Sequence, residues 1–306
     1  MSALAPVRYH VVHETVFDYS YSVRSSRQIA HLTPRVTPWQ QVLSSQLSID
    51  PVPSERSNGV DYFGNSFSTF LVEDAHHTLV VRAESEVVVA SYIPPIGSAS
   101  PRWEDCVVDR GAWRPGLDLD LEQFRVPSPA VPLLAGARAY AAPSFPPGRP
   151  WLDALLDLTR RIKKEFVYDP EATTIGTSVA EVLEHRHGVC QDYAHLMLSA
   201  LRGMGIAARY VSGYVLNRPR VDGTRLTGAD ASHAWVAAHC PGFGWIAFDP
   251  TNGKLADQEF VTLGWGREFA DVTPTRGVVL GSPTQTLSVA VSVTPIPEPA
   301  TSAAKA

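Results

Sequence analysis

Cysteine is scarce in this chain: Cys106, Cys190 and Cys240 are the three among 306 residues. So small and odd a set excludes the disulfide framework of a small secreted domain and suits a reducing compartment. Long apolar runs are missing too, and none approaches the roughly 18 residues of a membrane span. The opening MSALAPVRYHVVHET carries no apolar segment and no cleavage site, so no secretory leader is expected. Positive charge is not in excess: the formal net charge of −5 argues against a nucleic-acid partner. No internal repeat is visible. These deficits lead to the expectation of a soluble cytoplasmic protein with neither membrane nor nucleic acid as partner.

What is present is ordinary for a globular chain, with 44% hydrophobic and 19% charged residues and a length that suggests roughly two domains. Residues 1–95 read as short strands: RYHVVHETVFDYSYSV, QVLSSQLSIDP and HTLVVRAESEVVVASY are rich in β-formers, and DYFGNSFSTFLVE turns at Gly64-Asn65. An antiparallel β-sandwich is expected there. Residues 96–145 form a Pro/Gly-rich connection draped over the surface, with a short helix near AVPLLAGARAY. A second unit is expected over 146–293. In it Pro150 suits a first helical position, and Trp151, Leu155, Leu158, Ile162 and Phe166 recur on one helical face. SVAE (178–181) has capping-box form and opens a helix that stops at Gly188. The next helix starts at about Cys190, with Ala194, Met197, Leu198 and Leu201 as its apolar stripe. Strands follow in AARYVSGYV, in a hairpin of SHAWVAAHC and WIAFDP around PGFG, and in LSVAVSV. Residues 294–306 bury little and are expected to be a disordered tail. The fold class is therefore α+β: helices on an antiparallel sheet behind an N-terminal sandwich.

Cys190 stands just after a glycine-containing turn and just before a helical run. A helix N-terminus carries partial positive charge and free N–H groups, which favour a thiolate and can also hold an oxyanion. Position alone leaves a buried structural thiol equally open. A nucleophilic cysteine needs a base, and the base an orienter. With the hairpin turn at 241–244, His233 falls opposite Asp249 or a residue or two beyond it, and a bulge would keep the two on one face. One hairpin could then supply base and orienter, and one helix the nucleophile.

GVCQDYAHLMLSALRGMGIAARYVSGYV, followed by GADASHAWVAAHCPGFGWIAFDPTNG, resembles the transglutaminase-like superfamily, whose chemistry is papain-like. HLTPR and DYFGN resemble the bacterial transglutaminase-like N-terminal domain, and GREFADVTPTRGVVLG with the closing strand resembles the C-terminal part of the same proteins. The resemblance implies Cys190 as nucleophile, His233 as base and acid, and Asp249 as orienter. It implies attack on a peptide or side-chain carboxamide and a thioester intermediate, with no cofactor or metal. Water as second reactant gives a peptidase or amidase, the preferred reading; an amine gives a transglutaminase or amide ligase. A non-catalytic binding module of the same fold is the rival from another class. Asp192 could touch a substrate amine or merely suit the first helical turn, and Trp235 could wall the acyl groove or fill the core. His185, His187, Cys190 and His195 could be read as zinc ligands, but their spacing fits no common template.

Overall fold

The computed structural model describes residues 5–90, 100–107, 118–174, 176–216 and 231–297. β1 (Val7–Val23) buries its odd-numbered side chains along nearly its whole length. The even ones face outward, the alternation that a half-buried strand requires. It lies between β6 (His76–Val89) and β15 (Gln285–Ile296), and β3 (Gln40–Asp50) completes an antiparallel sheet in the order β15-β1-β6-β3. The opposing sheet orders β14-β2-β5-β4, from Thr275–Leu280, Ser25–Ala30, Ser66–Val72 and Glu55–Val60. Phe17, Tyr19, Leu47, Ile49, Phe70, Val72, Leu79 and Val81 fill the space between. This is a two-sheet antiparallel sandwich.

The sandwich takes its outer strands from the far end of the chain. β15 pairs with β1 and β14 with β2. The grouping of the C-terminal strands with the second unit is thus corrected: their partners are free edges of the N-terminal sheets, where the unpaired backbone groups of β1 and β2 are satisfied. β15 also runs to Ile296, past the expected start of the tail, while residues 298–306 of that tail lie outside the described residues.

The second layer system has a five-stranded antiparallel sheet in the order β12-β11-β10-β9-β13 (Lys254–Leu255, Gly244–Asp249, His233–Cys240, Ala208–Val215, Phe260–Gly266). Helices cover one face. α3 (Trp151–Glu165) buries Trp151, Leu155, Leu158 and Ile162, the stripe read from the sequence, with Phe166 just beyond its end. Pro150 sits one position earlier than expected, at the N-cap. α4 (Val179–His185) opens with the Ser178/Glu181 capping box and closes at Arg186, which takes the left-handed conformation (φ 60°), rather than at Gly188. α5 (Cys190–Gly203) is buried nearly all round, because α2 (Ala135–Ala141), α3, α4 and the sheet all pack on it. α2 belongs to this core through Ala137, Tyr140 and Ala141, so that part of the connection is buried and does not drape over the surface. A short α1 (Leu119–Glu122) lies upstream, its N-cap Asp118 accepting from the Leu121 N–H.

β1 spans both cores. Phe17 and Tyr19 lie in the sandwich, while Tyr9 and Val11 pack against Tyr214, Val261 and Leu263 of the five-stranded sheet. Between them the buried His13 bridges Thr15 (2.8 Å) and the Tyr214 hydroxyl (3.1 Å). Two amides fasten the joint. The Gln40 side chain donates to the Thr262 carbonyl (2.7 Å) and accepts from the Thr262 N–H (2.8 Å); Asn65 does the same with Trp265 (2.8 and 2.9 Å). Each replaces backbone pairing that β13 would otherwise lack on that side.

Candidate active site

Gly188, at φ +154° in a region that side chains rarely adopt, brings the chain into α5 so tightly that a β-carbon there would stand 2.7 Å from the Asp192 carboxylate. Asp192 explains the tightness. Its Oδ2 accepts from the Val189 N–H (2.8 Å) and from the Thr173 hydroxyl (2.7 Å), tying off the turn that presents Cys190. The carboxylate is buried, which raises its pKa, and the two hydrogen bonds partly offset that rise. Cys190 is the first residue of α5 and is 8% exposed. The N–H groups of that first turn have no intrahelical acceptor. Asp192 takes the one from Val189, just ahead of the sulfur-bearing residue.

His233 opens β10, directly across from Gly213 of β9. The hairpin register, Val236↔Phe248 through Cys240↔Gly244, places Asp249 on the diagonal from His233 and on the same face. No bulge is needed, contrary to expectation, since a two-residue offset preserves parity. The His233 Nε2 lies 2.9 Å from the Asp249 Oδ2, and both side chains are fully buried. That leaves Nδ1 for the sulfur. Nδ1 has no fully formed hydrogen bond, yet Cys190 interacts with the imidazole, a looseness common before substrate binds. Burial alone would lower the imidazole pKa. The Asp249 charge and hydrogen bond, with a smaller push from Cys190, reverse this and raise it to about 10. Asp249 moves the opposite way: burial would raise it, but His233 and Asn252 hold it below the usual carboxylate range. The two directions agree on an imidazolium–carboxylate pair.

Asp249 is held by more than His233. Its Oδ1 accepts from the backbone N–H groups of Thr251 (2.8 Å) and Asn252 (3.2 Å), and its Oδ2 from the Asn252 side chain (2.7 Å). The carboxylate thus closes the turn that follows it and holds the His233 imidazole in one arrangement. The sequence signals Asn252 only as an Asn three residues after the Asp, in a DPTNG turn.

Trp235 is 1% exposed, its ring stacked 6.1 Å from that of His233 and edge-on to Phe260. Gly213 makes room for it, since a β-carbon there would stand 2.5 Å from the indole. Of the two candidate substrate contacts, Trp235 lies buried beside the imidazole and Asp192 is bonded into the turn before the sulfur. His195 is buried on α5 and its Nε2 accepts from the Phe269 N–H (3.2 Å), while His185 and His187 stack on each other. Among the described residues no three His, Cys, Asp or Glu side chains are grouped to hold a metal, and no helix is long and apolar enough to cross a membrane.

Comparison with known proteins agrees with this architecture. Residues 9–88 match the bacterial transglutaminase-like N-terminal region and residues 139–250 the transglutaminase-like superfamily core. An uncharacterized protein of Mycobacterium tuberculosis is 40% identical over 298 residues, covering 94% of this chain and 93% of the relative. A protein-glutamine gamma-glutamyltransferase of Pseudomonas aeruginosa is 38% identical over 98 residues, 31% of this chain and 15% of that protein. The crystal structure of a candidate cysteine protease from Cytophaga hutchinsonii shares the fold, with a TM-score of 0.76 at 20% identity over 95% of this chain and 92% of that one. The chain belongs to the transglutaminase-like superfamily, and its core is preceded by that superfamily's bacterial N-terminal region.

Proposed function

We propose that the protein is a cysteine enzyme that cleaves an amide through a thioester on Cys190, with water as the acceptor. The observation that carries this reading is the imidazole locked through Nε2 by a buried carboxylate, with Nδ1 left to a sulfur at a helix N-terminus. The imidazolium favours the thiolate. The sulfur attacks the amide carbon, and the developing oxyanion is met by the N–H groups of the first turn. His233 then gives its proton to the leaving amine as the C–N bond breaks. In the second half the neutral imidazole takes a proton from water, hydroxide adds to the thioester, and the C–S bond breaks to release a carboxylic acid. Asp249 holds the ring's orientation and its charge throughout.

An amine in place of water gives amide ligation, and the similarity to the Pseudomonas gamma-glutamyltransferase favours that second reading. The sparse, unpaired cysteines favour a cytoplasmic setting, where unselective crosslinking would be harmful, so hydrolysis comes first. The test is partition. An activated acyl donor is supplied with a saturating primary amine, and acid and amide are measured separately. Acid as the main product supports hydrolysis. Amide as the main product, with deacylation accelerated by the amine, replaces it with ligation. Failure of Cys190 to acylate at all leaves only the binding-module reading.

A further inference from the structure

A groove of about 300 Å³ lies against the sheet face turned away from α5. Arg209, His239 and Trp245 alternate along β9, β10 and β11 with residues that pack under the helix, so they project to this other side. Trp265 of β13 joins them, the connection contributes Phe124, and the N-terminal unit contributes Phe63 from its DYFGN turn. The groove is thus built from all three parts of the chain. His239 lies six residues along β10 from His233, about 20 Å at strand rise, so the groove opens on the same sheet face as the imidazole but toward the other end of the strand, with Trp235 between them.

Arg209 is the unusual member. It is 6% exposed, and among the described residues it has neither a carboxylate partner nor a hydrogen-bond acceptor. Its Nε is buried and unpaired, as is Nδ1 of His239 in the same groove. The guanidinium lies 3.7 Å over the Trp265 ring and 4.3 Å over that of Trp245. Another cation, Arg35, acts on it from its own place 3.6 Å over the Trp265 ring. Burial pushes the Arg209 pKa well down, and Arg35 adds to that. An uncompensated buried charge is costly, and such charges are normally paired.

Stacking on two indoles occupies the flat surfaces of the guanidinium and leaves its N–H edge, the fork that matches a carboxylate. The aromatic walls suit an apolar body attached to that carboxylate. Exposed Asp118 and Asp120 at the rim disfavour a multiply charged anion such as a phosphate ester. The volume is at the small end for ligand sites, roughly one or two amino-acid residues. We infer that this groove binds a monocarboxylate carrying an aromatic or apolar group, its charge taken by Arg209. The carboxylate could end a peptide or belong to a free aromatic acid.

The experiment is calorimetric titration of the full chain with 3-phenylpropionate, its primary amide, the dipeptide Ala-Phe, and Ala-Phe amide. Saturable binding of the acids is expected, with the amides weaker by about tenfold or more, the difference a charge-assisted pair makes. Tighter binding of Ala-Phe than of 3-phenylpropionate assigns the site to peptide ends, and the reverse order assigns it to free acids. Arg209→Met, which keeps an apolar stem between the indoles, should abolish the preference for acid over amide without lowering the melting temperature. Should that variant fail to fold, Phe63→Ala, in the half-buried wall, should weaken both acids in a folded protein. Cys190→Ala should bind as the wild type does. Acid and amide binding equally, no acid binding at millimolar concentration, an intact acid preference in Arg209→Met, or loss of binding in Cys190→Ala would each overturn the inference.

Discussion

Gly213 and Trp235 share one space: the glycine lacks a side chain where the indole lies, and a β-carbon there would stand 2.5 Å from the ring and 2.1 Å from the Val261 carbonyl. Gly213→Ala therefore has no room on either side. Trp235 would be pushed toward His233, on which it stacks. Overpacking of this kind costs about 1–3 kcal/mol. The expected result is a lower urea midpoint together with slower alkylation of Cys190 by iodoacetamide. A variant as stable and as reactive as the wild type would show that the indole does not position the imidazole.

The donors around Asp249 predict an order of effects. His233→Ala removes the proton carrier and should cost the most. Asp249→Asn removes the charge but keeps a polar side chain, and a loss of roughly 10²- to 10⁴-fold is expected from orienter changes elsewhere. Asn252→Ala removes one of several donors to that carboxylate and should cost about tenfold or less. The rates of acylation by one activated ester rank the three. Asn252→Ala equalling Asp249→Asn would mean that the turn, not the charge, is what His233 requires.

The pH dependence follows from the raised His233 pKa. A group raised on folding keeps its proton as pH climbs past its usual range and loses it only near the folded value, here about 10. The alkaline limb of acylation should therefore lie well above pH 8. In Asp249→Asn the raising charge is gone and the lowering effect of burial remains, so the limb should move to lower pH. A limb that does not move, measured as kcat/KM across pH 5 to pH 10.5 (roughly the span over which histidine, ordinary or raised, titrates), would contradict the assigned pair.

Gln40 is the clearest probe of the joint between the two units. Its amide satisfies both backbone groups of Thr262 in a buried setting. Gln40→Ala orphans the Thr262 N–H, while the Thr262 carbonyl keeps the Arg35 N–H (3.0 Å), at about 1–3 kcal/mol for the buried group left unsatisfied. The melting temperature should fall, and hydrogen exchange at β13 should quicken. Unchanged exchange at Thr262 would show that water replaces the amide there.

The parts legible in the sequence are those whose information is local. Alternation in RYHVVHETVFDYSYSV marked β1, the Trp151-to-Phe166 spacing marked α3, and a glycine followed by a helical run placed Cys190 at a helix start. The hairpin arithmetic brought His233 near Asp249 because only three residues separate the strands in sequence. Information held at long range stayed hidden. Nothing in LSVAVSV says that β15 pairs with a strand more than 260 residues earlier. FVTLGWG, which became β13, is too ordinary a run to reveal that Gln40 and Asn65 would dock on it. Asp192 read as a possible substrate contact because its partners, the Val189 N–H and the Thr173 hydroxyl, become visible only once the turn is folded.

The central claim is that Cys190 is a nucleophile activated by His233, and competitive alkylation tests it most directly. Cys106 and Cys240 are the internal controls, both buried in the apolar core. The protein is treated with limiting iodoacetamide at pH 6, and the modified peptides are weighed. The account predicts that Cys190 is modified first, and that His233→Ala slows it by about tenfold or more while the fold is retained. Modification of Cys106 or Cys240 as quickly as Cys190, or an unchanged rate at Cys190 in a folded His233→Ala variant, would contradict it.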